Sequence, residues 1–115
     1  MSGGALHVRV FERFFDAIAG GVKTTEYREM SAYWMRRLVD TSKYAAADEQ
    51  ELRDAIRRDP DVPWRGWETI VFHCGARTLE RRVASIAVFP GYRWFAIRLA
   101  PVAAGGVKAK KRPPL

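Results

Sequence analysis

A chain of 115 residues is enough for one domain around one modest core. Its 48% hydrophobic content excludes a disordered body, and a formal net charge of +7 favours polyanionic partners over basic ones. The single cysteine, Cys74, excludes an intrachain disulfide and suits a reducing compartment.

No apolar run is long enough for a membrane span or a secretory leader, so a cytoplasmic location is expected. Residues 1–5 form a small, Gly-rich, frayed start, and one domain is expected over 6–104. The segment from Gly105 to Leu115 is a flexible basic tail. It carries Lys108, Lys110, Lys111 and Arg112 and no acidic residue. Taking those four away leaves 16 basic residues against 13 acidic ones, so the body itself is only mildly basic.

In chain order, Leu6, Val8 and Val10 alternate with His7 and Arg9, the pattern of a strand with one apolar face. Phe11, Phe14, Phe15 and Ile18 follow at helical spacing, and Gly20-Gly21 ends that helix. The three phenylalanines are read as core, with intercalation at a nucleobase the lesser alternative. A polar stretch comes next, Lys23-Thr24-Thr25-Glu26-Tyr27-Arg28. Extended backbone sends Thr24, Glu26 and Arg28 to one face and Lys23, Thr25 and Tyr27 to the other. Such polar density is either a solvated, salt-bridged sheet edge or the floor of a polar cleft. Contact between Lys23 and Glu26 would require a turn or bulge.

Ser31 is placed to cap a second helix, with Met30 and Met35 as a hydrophobic staple and Trp34 and Leu38 looking inward. Asp48 and Glu51 form a capping box for a third, with Leu52, Ala55 and Ile56 as its stripe and Asp59-Pro60 as its stop. Between these helices, Asp40–Ala47 is either a loop or a broken continuation. Glu68–Cys74 reads as a buried strand. The next strand, about Leu79 to Phe89, alternates poorly, as a central or bulged strand does. Pro90-Gly91 turns the chain into a last strand, Tyr92–Leu99, whose Phe95, Ile97 and Leu99 share one face. Helices early and strands late point to an α+β sheet, barrel-like and flanked by helices.

Several residues carry candidate chemistry. Lys23 lies beyond a helix end, where it either complements the helix dipole or is pinned by Glu26 or a phosphate. Arg28 offers a planar fork for phosphate or carboxylate, and Glu26 is the carboxylate placed to organise that basic pair or accept from a base edge. Thr25 and Tyr27 complete a polar rim. Trp64 and Trp67, flanking Arg65-Gly66, either stack on bases or plug the end of a barrel. Arg98 belongs to a run of arginines (77, 81, 82 and 93) around the last hairpin, some of which would line one basic face. His7 and His73 have no partner at metal-ligand spacing, so no metal or cofactor is expected.

The segment Phe14-Phe15-Asp16-Ala17-Ile18-Ala19-Gly20-Gly21-Val22-Lys23-Thr24-Thr25-Glu26-Tyr27-Arg28, followed by the Tyr33-Trp34 helix, resembles an ASCH domain of the small stand-alone bacterial type. Trp67-Glu68-Thr69-Ile70-Val71-Phe72 resembles that family's middle strand. The resemblance implies a PUA-like β-barrel flanked by helices and an RNA-associated cleft holding Lys23, Glu26 and Arg28. Some small members act as amidohydrolases on acetylated cytidine, and others are linked to RNA cleavage. In the former, a threonine stands three residues after the lysine, where this chain has Glu26. Glu80 is the candidate for a second acidic residue.

The combined expectation is a monomeric binder of single-stranded or modified RNA. A hydrolase using Lys23, Glu26 and Glu80 is the alternative, on a nucleoside-like small molecule or on RNA. The third reading is a protein-interaction module with a vestigial cleft.

Overall fold

The computed structural model describes residues 4–89, 91 and 93–101. They form β1 (Ala5–Arg9), α1 (Glu12–Ala19), β2 (Thr25–Glu29), α2 (Ala32–Leu38), a 3₁₀ turn (Thr41–Lys43), α3 (Glu49–Arg58), β3 (Thr69–Cys74), β4 (Arg77–Phe89) and β5 (Trp94–Leu99). The expectations for Tyr92, Pro90 and the basic tail fall outside the described residues.

Local chemistry explains the helix starts. The Ser31 hydroxyl accepts from Trp34 N at 3.3 Å, and Met30 and Met35 are both buried beside it. The Asp48 carboxylate accepts from Glu51 N at 2.9 Å, while Glu51 reaches back to Ala47 N at 2.7 Å. This reciprocal cap is displaced by one residue from the usual box. Within the uncertain 40–47 stretch, Asp40 caps the 3₁₀ turn by accepting from Ser42 N.

The five strands form one mixed sheet in the order β1-β3-β4-β5-β2. β1 pairs parallel with β3, and every other pairing is antiparallel. β4 belongs to both halves: Arg77–Arg82 pair with β3 and Val83–Phe89 with β5. A register shift between Val83 and Ser85 leaves Ala84 without a partner. Leu79 and Val83 face the core before this bulge, Ile86 and Val88 after it. The bulge changes inward parity from odd to even, which is why the strand alternates poorly in sequence. The core gathers Leu6 and Val8, Ile70 and Phe72, and Phe95 and Ile97 from the sheet against Phe15, Ile18, Met35, Leu38 and Ile56.

Two expectations are corrected. The sheet is not a closed, PUA-like barrel: β1 and β2 lie at its opposite ends, with no ladder between them. Closing it would force Glu26 and Arg28, which face inward from β2, into a fully sealed interior at a steep desolvation cost. The α+β class stands, as an open, curved five-stranded sheet with three helices. The second correction concerns α1, whose inward residues are Phe15 and Ile18 alone. Phe11 is the helix N-cap and 74% exposed, and Phe14 is 37% exposed. Phe11 precedes the helix in extended backbone, φ −72° and ψ 157°, so it leaves the helical face, and Phe14 lies at one margin of the stripe.

Candidate functional site

The end of α1 determines where Lys23 goes. Gly21 adopts φ 78°, a left-handed conformation that glycine reaches without strain. The N–H groups of Val22 and Lys23 then both donate to the Ala17 carbonyl, at 2.9 and 3.0 Å. This turn precedes β2, so Lys23 escapes the strand's alternation. Its Nζ donates to the Thr25 carbonyl at 2.7 Å and lies 3.3 Å from Oε1 of Glu26. Glu26 and Arg28 share a strand face as alternation predicts, and Arg28 Nη2 sits 2.6 Å from the other oxygen, Oε2.

Glu26 is thus a nearly buried carboxylate clamped between two cations, with a residue exposure of 5%. Both cations remain about one quarter exposed. Arg28 is further fixed over the Trp34 ring, 5.1 Å from its centroid, and its Nη2 also donates to the Arg9 carbonyl at 3.2 Å. Its Nε–H is buried without a hydrogen-bond partner among the described residues. The Lys23 ammonium lies 5.7 Å from the Phe14 ring and 6.0 Å from Tyr27.

A cavity of about 490 Å³ opens over this cluster, walled by Phe11, Phe14 and Tyr27 and by the basic side of Lys23, Arg9 and Arg28. It occupies the open side of the sheet, between the end of β1 and the face of β2. The arrangement offers two fixed cations for an anion and aromatic surface for a flat ring. Arg9 was not a candidate from sequence, and Phe11 and Phe14 were read first as core, with base stacking the lesser alternative. The apolar stripe of α1 absorbed the two phenylalanines, and Arg9 looks like any outward residue of an alternating strand.

Of the sequence candidates, Lys23, Glu26, Tyr27 and Arg28 come together, and Thr25 joins through its carbonyl. Three others lie elsewhere. The Trp67 indole donates to the Arg37 carbonyl at 2.7 Å in a separate hollow with Gly4, Arg36 and Arg65. Arg98 is exposed on β5 opposite Thr25, and Glu80 is exposed on β4 opposite Val71.

Of the arginines around the last hairpin, Arg82 and Arg98 are exposed, and three others are held one by one. Asp16 holds Arg77 at 2.7 Å and raises its pKa above the ordinary value. Arg81 donates to the Ile18 carbonyl at 2.9 Å, with its pKa lowered by burial. Arg93 donates to Gln50 at 2.8 Å.

No protein-family model matches the chain, and no curated protein matches it. With no matching family and an open sheet in place of a closed barrel, the ASCH and PUA-like descriptions are not retained. No helix among the described residues is long and apolar enough to cross a membrane.

Proposed function

We propose that this protein binds single-stranded RNA in the cavity between β1 and β2. One observation carries the reading: Glu26 clamps Lys23 and Arg28 at the mouth of a cavity lined by exposed aromatic rings. The carboxylate organises the two cations, leaving their outer N–H groups to a backbone phosphate. Phe11, Phe14 or Tyr27 stacks on a base, which duplex RNA would keep hidden. The open, wide mouth suits a strand passing through better than an enclosed small molecule.

Clamping also speaks against the hydrolase reading. A general base must be free to take a proton, and both oxygens of Glu26 are engaged by cations. Glu80, exposed beside the core-facing Leu79, projects from the other face of the sheet and does not line the cavity.

The test is titration of the full-length protein with a labelled single-stranded RNA across a salt series, with product analysis on each mixture. The wild type is expected to lose roughly tenfold or more in affinity across a modest salt rise. Lys23→Ala should weaken binding about tenfold and shorten the salt slope by about one phosphate. Equal binding by Lys23→Ala would overturn the assignment of this cavity. Turnover that vanishes in Glu26→Gln would establish the hydrolase instead.

A further inference from the structure

A second cavity adjoins the first. It measures about 740 Å³ and is lined by His7, Arg9, Arg28, Tyr33, Trp34 and His73 among others. Arg9 and Arg28 line both cavities, so the two form one path along the open side of the sheet. Glu26 belongs to the first alone, and no carboxylate lines the second among the described residues. The second thus sets two arginines against no acid, where the first sets three cations against one carboxylate. Tyr33, 58% exposed, offers ring surface at its wall.

The parallel pairing of β1 with β3 brings two histidines together from opposite ends of the sequence. His7 Nδ1 lies 2.9 Å from His73 Nε2. A hydrogen bond between two imidazoles requires one N–H and one lone pair. In the neutral pair, one of the two outer ring nitrogens carries a hydrogen and the other a lone pair. Adding one proton preserves the bond between the rings and turns both outer nitrogens into donors. Phosphate oxygens only accept, so proton uptake converts a repelling lone pair into an attracting N–H and adds a charge.

We infer that the second cavity holds the next backbone phosphate of the RNA strand seated in the first, with His7 and His73 coupling its capture to proton uptake. The inference rests on the reading of the first cavity as an RNA site. The charged and titratable groups facing the pair are Arg9 from β1, Arg28 from β2, Tyr33 from α2 and Cys74 from β3. From β4, the residue paired with His73 is the uncharged Thr78, and Glu80, opposite Val71, projects from the same face of the sheet outside the cavity lining. With two arginines and no carboxylate in the cavity lining, the surroundings favour an anion over a metal ion. Among the described residues no three His, Cys, Asp or Glu side chains converge to hold one.

Calorimetric titration of the full-length protein with the dinucleotide UpU and the trinucleotide UpUpU tests this. These probes carry one and two phosphodiesters, whose charge is constant from about pH 5.5 to about pH 8, whereas histidine changes charge in that window. UpUpU is expected to bind about tenfold tighter than UpU at the lower pH, as a charge-assisted phosphate contact implies, with the margin shrinking at the higher pH. His7→Gln and His73→Gln should each reduce the acid-side margin to its alkaline size. Equal affinities for both probes at both pH values would overturn the inference and leave the first cavity's reading intact. A margin indifferent to pH and to both substitutions would remove the histidines from it. Failure of either probe to bind at all would overturn both readings together.

Discussion

The guanidinium of Arg28, on β2, donates to the main-chain carbonyl of Arg9, on β1, at 3.2 Å. This bond joins the two free edges of the sheet, where a closed barrel would have a ladder. Even-numbered residues of β1 turn their backbone groups toward β3, as Val10 N does to His73 O. Odd-numbered residues such as Arg9 turn theirs to the open side. The same Arg28 nitrogen neutralises Glu26, so one side chain tethers the cleft walls and balances its buried carboxylate.

Arg28→Met should therefore destabilise the fold by about 2 kcal/mol, because Glu26 keeps only Lys23 against its desolvation cost. Combining it with Glu26→Gln should recover most of that loss, since the uncompensated charge goes too. Urea midpoints of the two variants check this. A double variant no more stable than Arg28→Met would show that the ion pair is not what the arginine supports.

Gly21→Ala is expected to cost about 1 kcal/mol, through backbone conformation alone. An added Cβ there meets nothing within 4 Å, so no clash contributes. The backbone turn that directs Lys23 is what the substitution strains, so RNA affinity should fall with stability. Thermal melts beside the salt-series titration separate the two effects. An unaltered melt with normal affinity would mean that the left-handed turn is dispensable.

Tyr44 supplies a pH-dependent prediction. Burial, and then its 2.7 Å hydrogen bond to Asp59, raises the phenol well above its ordinary value. The folded state thus holds this proton more tightly than the unfolded state. Its contribution is complete below the ordinary tyrosine range near pH ~10 and is lost as pH rises through the folded value. Urea midpoints at about pH 9 and about pH 11 should fall more for wild type than for Tyr44→Phe. Equal falls would place the alkaline sensitivity elsewhere.

Much of the local structure was legible because it is written in short-range chemistry. Ser31 and Asp48 sit where caps must sit, and Phe95, Ile97 and Leu99 keep strict alternation. The closure of the sheet was not legible, since a period of two says which face is buried but not which edges meet. Arg53 misleads in the same way. It interrupts the apolar stripe of α3, yet it is buried, donating to the Met30 carbonyl at 2.7 Å and pairing with Glu49 and Gln50. The site was half visible. Glu26 and Arg28 follow from alternation, and Lys23 needed the turn that Gly20-Gly21 signals. Nothing local announces that His7 meets His73, because their contact depends on a parallel pairing across 66 positions. The phenylalanines show the opposite failure: helical spacing was present, but the helix begins only after Phe11, which stands in extended backbone as its cap.

The unpaired Ala84 constrains how this chain can vary. Removing it would slip the second half of β4 by one step and present its core residues to water, while those now outside would turn inward. Adding a neighbour would do the same in reverse. The connection between α3 and β3 is itself held in register from Pro63 onward, where Trp64 bridges Val39 and Arg65 N donates to the Leu38 carbonyl, so only its first residues can lengthen at small entropic cost. Descendants of this sequence should therefore differ in length between Asp59 and Val62 and hold their count from Arg77 to Phe89, where a change of one residue is tolerable only if a second restores the parity.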